Sequence, residues 1–537
     1  METPKQSAAG GDSGGEQRRV VASIDIGSSA LRLDIGEVDA RGKVRVLESL
    51  RNGVRLGKDV FSTGKVQQDT LRRTVAILKN YARLMKEYGV VRPEQIRAVA
   101  TSFAREAANR DTFVDRIGAA TGIHVNVLEE TEEARLTYLA VRDVLDAGGL
   151  LAAKNVAVLE IGGGQAILLY IRAGKVTVAQ SFHAGALRTR EMLEAGGGTG
   201  LRAKRLLKAY AAEQVEQIRQ VIPEGRVSAL VVMGAGARFA AENAAGDKQP
   251  ADRRMTLAPT ARLAQLADRL AVSPAEELVR SHRMTLQDAA TVAPALTTVA
   301  QVARALKVRE VHVARATLRD GLLKDMALRE HSSEGFEEQV VYSARTLAAR
   351  FGADEAHYLN VESAALALFD ELKEEHQLRG HDRLLLRCAA ILHDTGAYVN
   401  ARAHHKHSMY LIANSDLFGL TRHDMQIVGV VARYHRKAVP SPSHPEFAPL
   451  AMEDRMRVTK LAAMLRVADS LERAPREAPR RLEFRREGER FVVMVRDMED
   501  LTMERLVLRA KGNLFADVFG LVPELRELRT ELPRGMA

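Results

Sequence analysis

Apolar and polar positions alternate along the chain in a way that predicts an α/β segment at its start. Residues 20–26 (VVASIDI) form an apolar run with one acid, a Gly-Ser turn follows, and residues 30–36 form a second apolar strand. Apolar residues then recur every three or four positions from Leu71 to Met85, the spacing of an amphipathic helix. The same periodicities predict strands at 44–50, 96–100 and 125–128 and helices at 111–121 and 130–145.

The arrangement returns at Val156, where VAVLEIGGGQAILLYI again gives an apolar strand, an acid, a glycine-rich turn and a second apolar strand. This recurrence predicts an internal duplication of two α/β domains. Helices are predicted around 200–220, a strand at 229–233, and mostly helix from there to about 326. The glycine run at 196–200 follows a helical segment rather than a strand, so we interpret it as a flexible connection and not as a phosphate loop.

After residue 329 the pattern becomes almost entirely helical, with proline-rich breaks at 440–449 and 475–479. Residues 481–518 alternate again, which indicates a small β-containing piece. The predicted organisation is a disordered tail at 1–19, α/β domains at 20–145 and 146–328, a helical domain at 336–475 and a small α+β domain at 480–537.

Composition narrows the class of protein. With 46% hydrophobic and 28% charged residues, the 537-residue chain is expected to be globular, and we expect neither a membrane span nor a signal peptide. Aromatic residues make up 4% and tryptophan is absent, so nucleic acid is an unfavoured partner. The net charge of +10 favours a polyanion. The single cysteine, Cys388, excludes an intrachain disulfide and predicts a cytoplasmic protein.

The two acid–glycine turns carry the first candidate chemistry. Asp25 precedes Gly27-Ser28, and Glu160 precedes Gly162-Gly163-Gly164. Backbone amides in such a turn can bind a phosphate, and the acid can hold a divalent metal. A single turn of this kind is also what a tight hairpin needs. Two of them in corresponding places favour a phosphate clamped in a cleft between two domains.

Short stretches in the same order along the chain then identify a family. The sequence resembles the exopolyphosphatase and guanosine pentaphosphate phosphatase family of the actin-like ATPase superfamily, through IDIGSSALRL at 24–33, VRLGK at 54–58, AVATSFAREAANRD at 98–111, EETEEARLTYLAV at 129–141, EIGGG at 160–164, GALR at 185–188 and LRDGLL at 318–323. The resemblance implies two actin-like, ribonuclease H-like α/β domains, followed by an all-helical HD-type domain and a small α+β piece. It also implies a homodimer.

The resemblance also assigns roles. It implies that Glu133 is the general base that activates water, that Arg105 binds phosphate, and that Asp25 and Glu160 hold Mg²⁺ or Mn²⁺. The implied phosphate cradle consists of Gly27, Ser28, Gly162, Gly163, Gly164 and Arg188, with Arg319 as a further family arginine. The residues alone leave Glu133 equivalent to the other glutamates at 129–132, any of which could complement a helix dipole. Without the resemblance, Arg105 could equally be an arginine on the surface of a helix.

The sequence departs from the family at its turns. The first has Ser29-Ala30 where the family has Asn-Ser, and the turn at 234–238 (GAGAR) lacks the family's threonine. In the second turn Glu160, Gln165, Ala166 and Ile167 replace Asp, Ser, Thr and Glu, and isoleucine cannot bind a metal. Two functions stay open: a hydrolase, weakened or not, of polyphosphate or guanosine pentaphosphate, and a non-catalytic regulator that binds one of them.

The helical domain carries a second signal. Histidines and aspartates spaced along separate predicted helices look like an HD-type phosphohydrolase site for one or two divalent ions, formed by His357, His393, Asp394, His407, His435 and Asp469. A metal-dependent phosphohydrolase is therefore a third possible function. Alternatively, the histidines at 404, 405 and 407 bind polyphosphate. Basic clusters at 402–406 and 433–437 could line a polyanion channel or form a solvated face.

Overall fold

The computed structural model describes residues 18–152, 155–197, 200–223, 227–247, 249–250, 254–328, 334–472, 482–496 and 501–528. The chain divides into two compact units. One contains the residues up to 333 apart from 175–177, and the other contains 334–537 together with 175–177. The predicted tail lies almost wholly outside the described residues, but Arg19, assigned to it, is the first residue of a strand.

The first sheet has five strands in the order β3-β2-β1-β4-β5. Strands β1, β2 and β3 are antiparallel neighbours, and β4 and β5 continue in parallel from β1. The strands are β1 Arg19–Ile26, β2 Ala30–Val38, β3 Val44–Gly53, β4 Ile96–Ala100 and β5 Val125–Val127. The helices are α1 Leu56–Thr63, α2 Gln68–Glu87, α3 Ser102–Glu106, α4 Arg110–Thr121 and α5 Glu130–Ala147, and Pro93–Gln95 form a 3₁₀ turn.

The second sheet repeats this plan with six strands in the order β10-β11-β9-β6-β7-β8. Strand β6 is antiparallel to β7 and parallel to β9, as β1 is to β2 and β4. The strands are β6 Asn155–Ile161, β7 Ala166–Arg172, β8 Lys175–Phe182, β9 Ala229–Met233, β10 Met255–Pro259 and β11 Glu310–Ala314. The helices are α6 Ala186–Ala195, α7 Gly200–Val221, α8 Ala235–Asn243, α9 Thr260–Leu270, α10 Ala275–His282, α11 Leu286–Ala305 and α12 Leu318–Leu328.

Helix α12 returns from the second sheet to the first and packs against α5 and β1. The approach is close, because a Cβ atom on Gly321 would overlap the carbonyl group of Leu136. This contact fixes α5, which carries the predicted site residue Glu133 in its first turn. The prediction of mostly helix between 233 and 326 missed β10 and β11, each of only five residues.

The second unit is a helical bundle with a small terminal sheet in the order β12-β13-β14. One apolar core includes Leu386 and Val467 from the helices and Phe491 and Phe515 from the terminal piece, which therefore packs as part of this unit. The helices are α13 Glu334–Arg350, α14 Glu355–Glu371, α15 Lys373–His376, α16 Gly380–Leu392, α17 His404–Ala413, α18 Arg422–Arg433, α19 Met452–Ser470, α20 Thr502–Lys511 and α21 Asn513–Phe519. The strands are β12 Leu482–Glu487, β13 Arg490–Arg496 and β14 Val522–Leu528, and Thr395–Tyr398 form a 3₁₀ turn.

Among the described helices, none is long and apolar enough to cross a bilayer. The predicted boundaries at 145–146, 328–336 and 475–480 stay predictions, as does the HD-type character of the helical bundle.

Candidate active site

The two acid–glycine turns lie face to face in one cleft of the first unit. In each turn a glycine amide donates to the carbonyl oxygen three residues later, at 3.0 Å for Gly27 and 3.0 Å for Gly162. A Cβ atom on Gly163 would lie 3.1 Å from the Cβ atom of Ser28, so the turns approach to van der Waals contact. The structure therefore brings both predicted turns to a single site.

Glycine is required where the second turn meets its neighbours. A Cβ atom on Gly164 would overlap the hydroxyl of Ser102 and lie 2.7 Å from the ring of Phe61. A Cβ atom on Gly185, just before α6, would overlap the backbone of Gly164. Backbone packs directly on backbone here, which leaves a concave surface of main-chain groups suited to an anion.

Glu133 lies in the first turn of α5, and 7% of its surface is exposed. Nη1 of Arg105 donates to Oε2 of Glu133 at 2.9 Å and to the carbonyl oxygen of Leu128 at 2.5 Å. Burial raises the pKa of Glu133 to about 7; Arg105 opposes the rise, whereas the negative charges of Glu160 and Asp25 add to it. A carboxylate that ionises near neutral pH is suited to take a proton from water.

Tertiary structure distinguishes Glu133 from the other acids at the start of α5. Glu130 is exposed to solvent. The carboxylate of Glu132 accepts a hydrogen bond from Arg135 at 2.7 Å. Of the four glutamates between 129 and 133, Glu133 is the one that lines the cleft.

The predicted metal ligands Asp25 and Glu160 face the same cleft. Oδ2 of Asp25 accepts a hydrogen bond from Arg32 at 2.9 Å, and Oε2 of Glu160 accepts one from Thr137 at 2.8 Å. Burial raises the pKa of Glu160, and although the Thr137 bond opposes the rise, the charge of Asp25 adds to it. A divalent cation would offset this repulsion, and carboxylate oxygens are what Mg²⁺ prefers, so the donor set fits the ion.

Three arginines also line the cleft, Arg32, Arg238 and Arg319. Arg319 is paired with Asp34 at 2.6 Å. In the described part of the chain the guanidinium of Arg238 has neither an ion pair nor a hydrogen bond. Burial lowers the pKa of Arg238, and the charges of Arg32 and Arg319 lower it further. The sequence analysis did not assign Arg32 or Arg238 to the site. Arg238 could have been found from its position in the turn at 234–238, where the sequence departs from the family pattern by lacking a threonine.

The structure shows which groups Arg188 and Ile167 contact, which the sequence could not specify. Nε of Arg188 donates to the carbonyl oxygen of Gly164 at 2.9 Å, and its other end pairs with Glu106, so this arginine holds the second turn. Its phosphate-binding role stays a prediction. Ile167 is 2% exposed and stands opposite Glu160 across the β6–β7 pair. Paired residues share one face of a sheet, so an acid at 167 would lie beside Glu160.

The second unit holds a separate cluster of imidazoles and carboxylates. Two groups of ligand atoms each lie within 4.8 Å of one another: His357, His393 and Asp394, and Asp394, His404 and His435. Asp394 is common to both, with Oδ1 3.0 Å from Nε2 of His404 and Oδ2 3.7 Å from Nε2 of His393. Oδ1 of Asp469 lies 3.7 Å from Nε2 of His357. Asp469 also pairs with Lys511.

The rings are held with Nε2 directed to the centre of this cluster. Nδ1 donates to the carbonyl oxygen three residues earlier in His393 at 2.8 Å, in His404 at 3.1 Å and in His435 at 2.7 Å. A carbonyl oxygen can only accept, so in the neutral ring Nε2 carries the lone pair, which is the form that binds metal.

One residue predicted for this cluster lies outside it. His404, not His407, joins the cluster, and within the described chain His407 is in neither ligand group. Helix α17 begins at His404, and its backbone rests on the turn after Asp394 because Gly396 has no side chain to obstruct it. His407 lies three residues on, about 4.5 Å further along the helix axis. Sequence spacing alone could not set this register.

Comparison with known proteins agrees with the fold. The family profile described as Ppx/GppA phosphatase matches residues 35–330, and that for domain III of the same family matches 341–508. A guanosine-5'-triphosphate,3'-diphosphate pyrophosphatase of Photobacterium profundum is 26% identical over 451 residues, which are 82% of this chain and 84% of the relative.

Two solved structures show the same fold. An exopolyphosphatase of Cytophaga hutchinsonii matches 57% of this chain and 98% of its own, with 20% identity and a TM-score of 0.51. An exopolyphosphatase-like protein matches 58% of this chain and 99% of its own, with 20% identity and a TM-score of 0.51. The chain thus has two actin-like α/β domains followed by a helical region. Because the first profile spans more than half of the 537 residues, the chain belongs to the Ppx/GppA phosphatase family.

Proposed function

We propose that the cleft of the first unit hydrolyses the terminal phosphoanhydride bond of inorganic polyphosphate or guanosine pentaphosphate. The observation that carries the proposal is Glu133, a buried carboxylate with a pKa of about 7 beside two glycine turns. Membership of a phosphatase family supports a hydrolase, and the similar proteins described above are named for activities of this kind.

In the proposed reaction Glu133 takes a proton from a water molecule, whose oxygen attacks the terminal phosphorus atom. The bond from that phosphorus to the bridging oxygen breaks, and the bridging oxygen leaves with the electron pair. The products are inorganic phosphate and a chain one phosphate shorter. Amides of the turns at Gly27-Ser28 and 162–164, together with Arg105, stabilise the charge that develops on the phosphoryl oxygens.

Asp25 and Glu160 would hold Mg²⁺ or Mn²⁺, which when bound neutralises phosphate charge. Arg238 then provides a cation for a phosphate further along the substrate. The resemblance also leads us to expect a homodimer, and the composition leads us to expect a cytoplasmic location; both stay predictions.

The test is phosphate release from long-chain polyphosphate and from guanosine pentaphosphate with Mg²⁺. We expect Glu133→Gln to abolish release and Glu130→Gln, an exposed neighbour on the same helix, to leave it unchanged. Unchanged release in Glu133→Gln contradicts the proposal. Saturable binding by the wild type without release instead supports the regulator, in which the altered second turn has removed catalysis.

A second function is favoured by the cluster in the helical unit. Four imidazoles and two carboxylates converge there, a donor set that would hold two divalent ions, and Asp394 is common to both groups of ligand atoms. Oδ1 of Asp394 is buried without a hydrogen bond in the described structure, which suits a metal ligand. His357, His393 and Asp469 would hold one ion, and His404 and His435 the other. When bound, such ions lower the pKa of water and make it a nucleophile for phosphate esters.

This second function is separable from the first. We expect purified His404→Ala protein, incubated with Mn²⁺ and desalted, to retain about one ion fewer than the wild type, and His407→Ala to retain as many as the wild type. Equal metal content in the wild type and in His404→Ala contradicts the two-ion centre. Hydrolysis of a simple phosphodiester that is lost in His404→Ala but kept in Glu133→Gln would place that activity in the helical unit.

A further inference from the structure

Gln165 is a buried polar residue of the cleft that no part of the proposed reaction uses. It follows the three glycines of the second turn, where the family pattern has serine. Its side chain lines the cleft, and 6% of its surface is exposed. A long amide in place of a short hydroxyl at such a position needs a physical reason.

The orientation of this amide is determined by Arg105. Nη2 of Arg105 donates to Oε1 of Gln165. A guanidinium has donors and no acceptor, so the atom that faces Arg105 must be the oxygen, and Nε2 is turned to the other side. The same arginine donates through Nη1 to Glu133, so the amide is tied to the group that takes the proton.

Nε2 of Gln165 is buried and has no hydrogen-bond partner among the described residues. Buried donors are nearly always satisfied, so a buried donor that lines a cleft and lacks a protein partner indicates a ligand acceptor. The cleft that Gln165 lines is also lined by the turns at 27–29 and 162–164 and by Ser102. A phosphoryl group seated on those turns presents non-bridging oxygens, which only accept.

We propose that Nε2 of Gln165 donates a hydrogen bond to a non-bridging oxygen of the terminal phosphoryl group. Gln165 is thereby a substrate-binding residue, and its amide supplies a donor at the position where the family has a serine hydroxyl. Through Oε1 it also holds Arg105 in place. This inference rests on the proposed function of the cleft, because it takes that phosphoryl group as the ligand.

The test compares variants by two measurements on the full chain. The first is the affinity for inorganic tripolyphosphate, measured by calorimetry with EDTA so that no turnover occurs. The second is kcat/KM for phosphate release with Mg²⁺. Gln165→Met keeps the volume and removes the Nε2 donor, together with the Oε1 that accepts from Arg105. Gln165→Ser and Gln165→Ala are matched in size and differ by one hydroxyl. Circular dichroism checks that each variant is folded.

We expect Gln165→Met to weaken tripolyphosphate binding between about tenfold and hundredfold, as the loss of one hydrogen bond to a charged acceptor should. We expect kcat/KM to fall at least as much, and Gln165→Ser to retain more activity than Gln165→Ala, because the hydroxyl restores a donor. Tripolyphosphate affinity within twofold of wild type in a folded Gln165→Met protein overturns the inference, whatever happens to turnover.

The two proposals fail in different ways. A wild type that binds tripolyphosphate but releases no phosphate overturns the hydrolase, while the affinity comparison still decides the role of Gln165. A wild type that releases phosphate, with Gln165→Met equal to it in affinity, overturns the inference and leaves the hydrolase. A wild type that neither binds nor releases overturns both.

Discussion

Replacing Glu133 by glutamine should make the protein more stable while it abolishes phosphate release. In the folded chain burial is the largest cause that raises the pKa of Glu133 from 4.5 to about 7. Each pKa unit is worth about 1.4 kcal/mol, so the ionised carboxylate costs the folded state about 3 kcal/mol relative to its protonated form. Glutamine resembles the protonated form and stays neutral at every pH, so the variant avoids this cost.

The sign of the pH dependence follows from the direction of the pKa change. A carboxyl whose folded pKa is raised contributes its stability below pH 4.5, and that contribution is lost as the pH rises through about 7. The advantage of Glu133→Gln over the wild type should therefore grow between pH 5 and pH 8. With an unfolding entropy of about 2.1 cal/mol/K per residue over roughly 300 residues, 3 kcal/mol corresponds to about 5 °C in Tm.

Thermal unfolding of both proteins from pH 5 to pH 8 measures this difference, with Glu130→Gln as the control that shows none. In parallel, kcat/KM of the wild type should rise with pH to a plateau, with a midpoint near 7, because the base acts when it has lost its proton. A Tm difference between Glu133→Gln and wild type that is the same at pH 5 and pH 8 would refute the reasoning, since ionisation of Glu133 would then not be opposed by burial.

Three further substitutions test the cleft. Arg238→Ala should raise KM for long-chain polyphosphate about tenfold with little change in kcat, because its guanidinium is unpaired in the described structure and makes no contact with Glu133; a steady-state series checks this, and an unchanged KM counts against it. Gly164→Ala should lower stability by about 1–3 kcal/mol and remove activity through the overlap with Ser102. Gly118→Ala, whose added methyl would lie 3.9 Å from its nearest neighbour inside α4, should keep full activity and should not lower stability. Ile167→Glu should lower Tm at pH 8 by burying another carboxylate beside Glu160, and added Mg²⁺ should recover more of the Tm than in the wild type; equal Mg²⁺ responses would contradict the metal assignment.

Local pattern predicted most of the elements because their signals are local. The strand–turn–strand units at 24–33 and 159–168 are fixed by alternation and glycine, and the helix predicted around 71–85 was found as Gln68–Glu87. Strands β10 and β11 were missed because each is five residues long and lies among alanine-rich helices. Strand β11 forms by parallel pairing with β9, a partner some eighty residues earlier, which no short window of sequence contains.

In the candidate sites, too, some features followed from the sequence and others depended on contacts between distant residues. Residue type and order pointed to Glu133, Arg105 and the glycine turns through a resemblance, but burial and the Arg105 contact are what distinguish Glu133 from Glu130. The helical cluster contains His404 and not His407, which was predicted for it, and its binding of metal stays a prediction. Each residue turns an α-helix by about 100°, so a ligand such as His404 is selected by where the helix docks, and Gly396 sets that position.

The sequence by itself determined the duplicated α/β plan, the helical second half, the presence of two glycine turns each preceded by an acid, and a composition suited to a polyanion. These are properties of spacing and residue type, which act over a few positions. Tertiary structure alone decided that burial raises the pKa of Glu133 to about 7, that Arg238 stands unpaired among the described residues of the cleft, and that Arg105 holds Oε1 of Gln165 while Nε2 has no partner among the described residues. Each of these depends on desolvation and on contacts between residues far apart in the chain, and such terms arise only once the fold has formed.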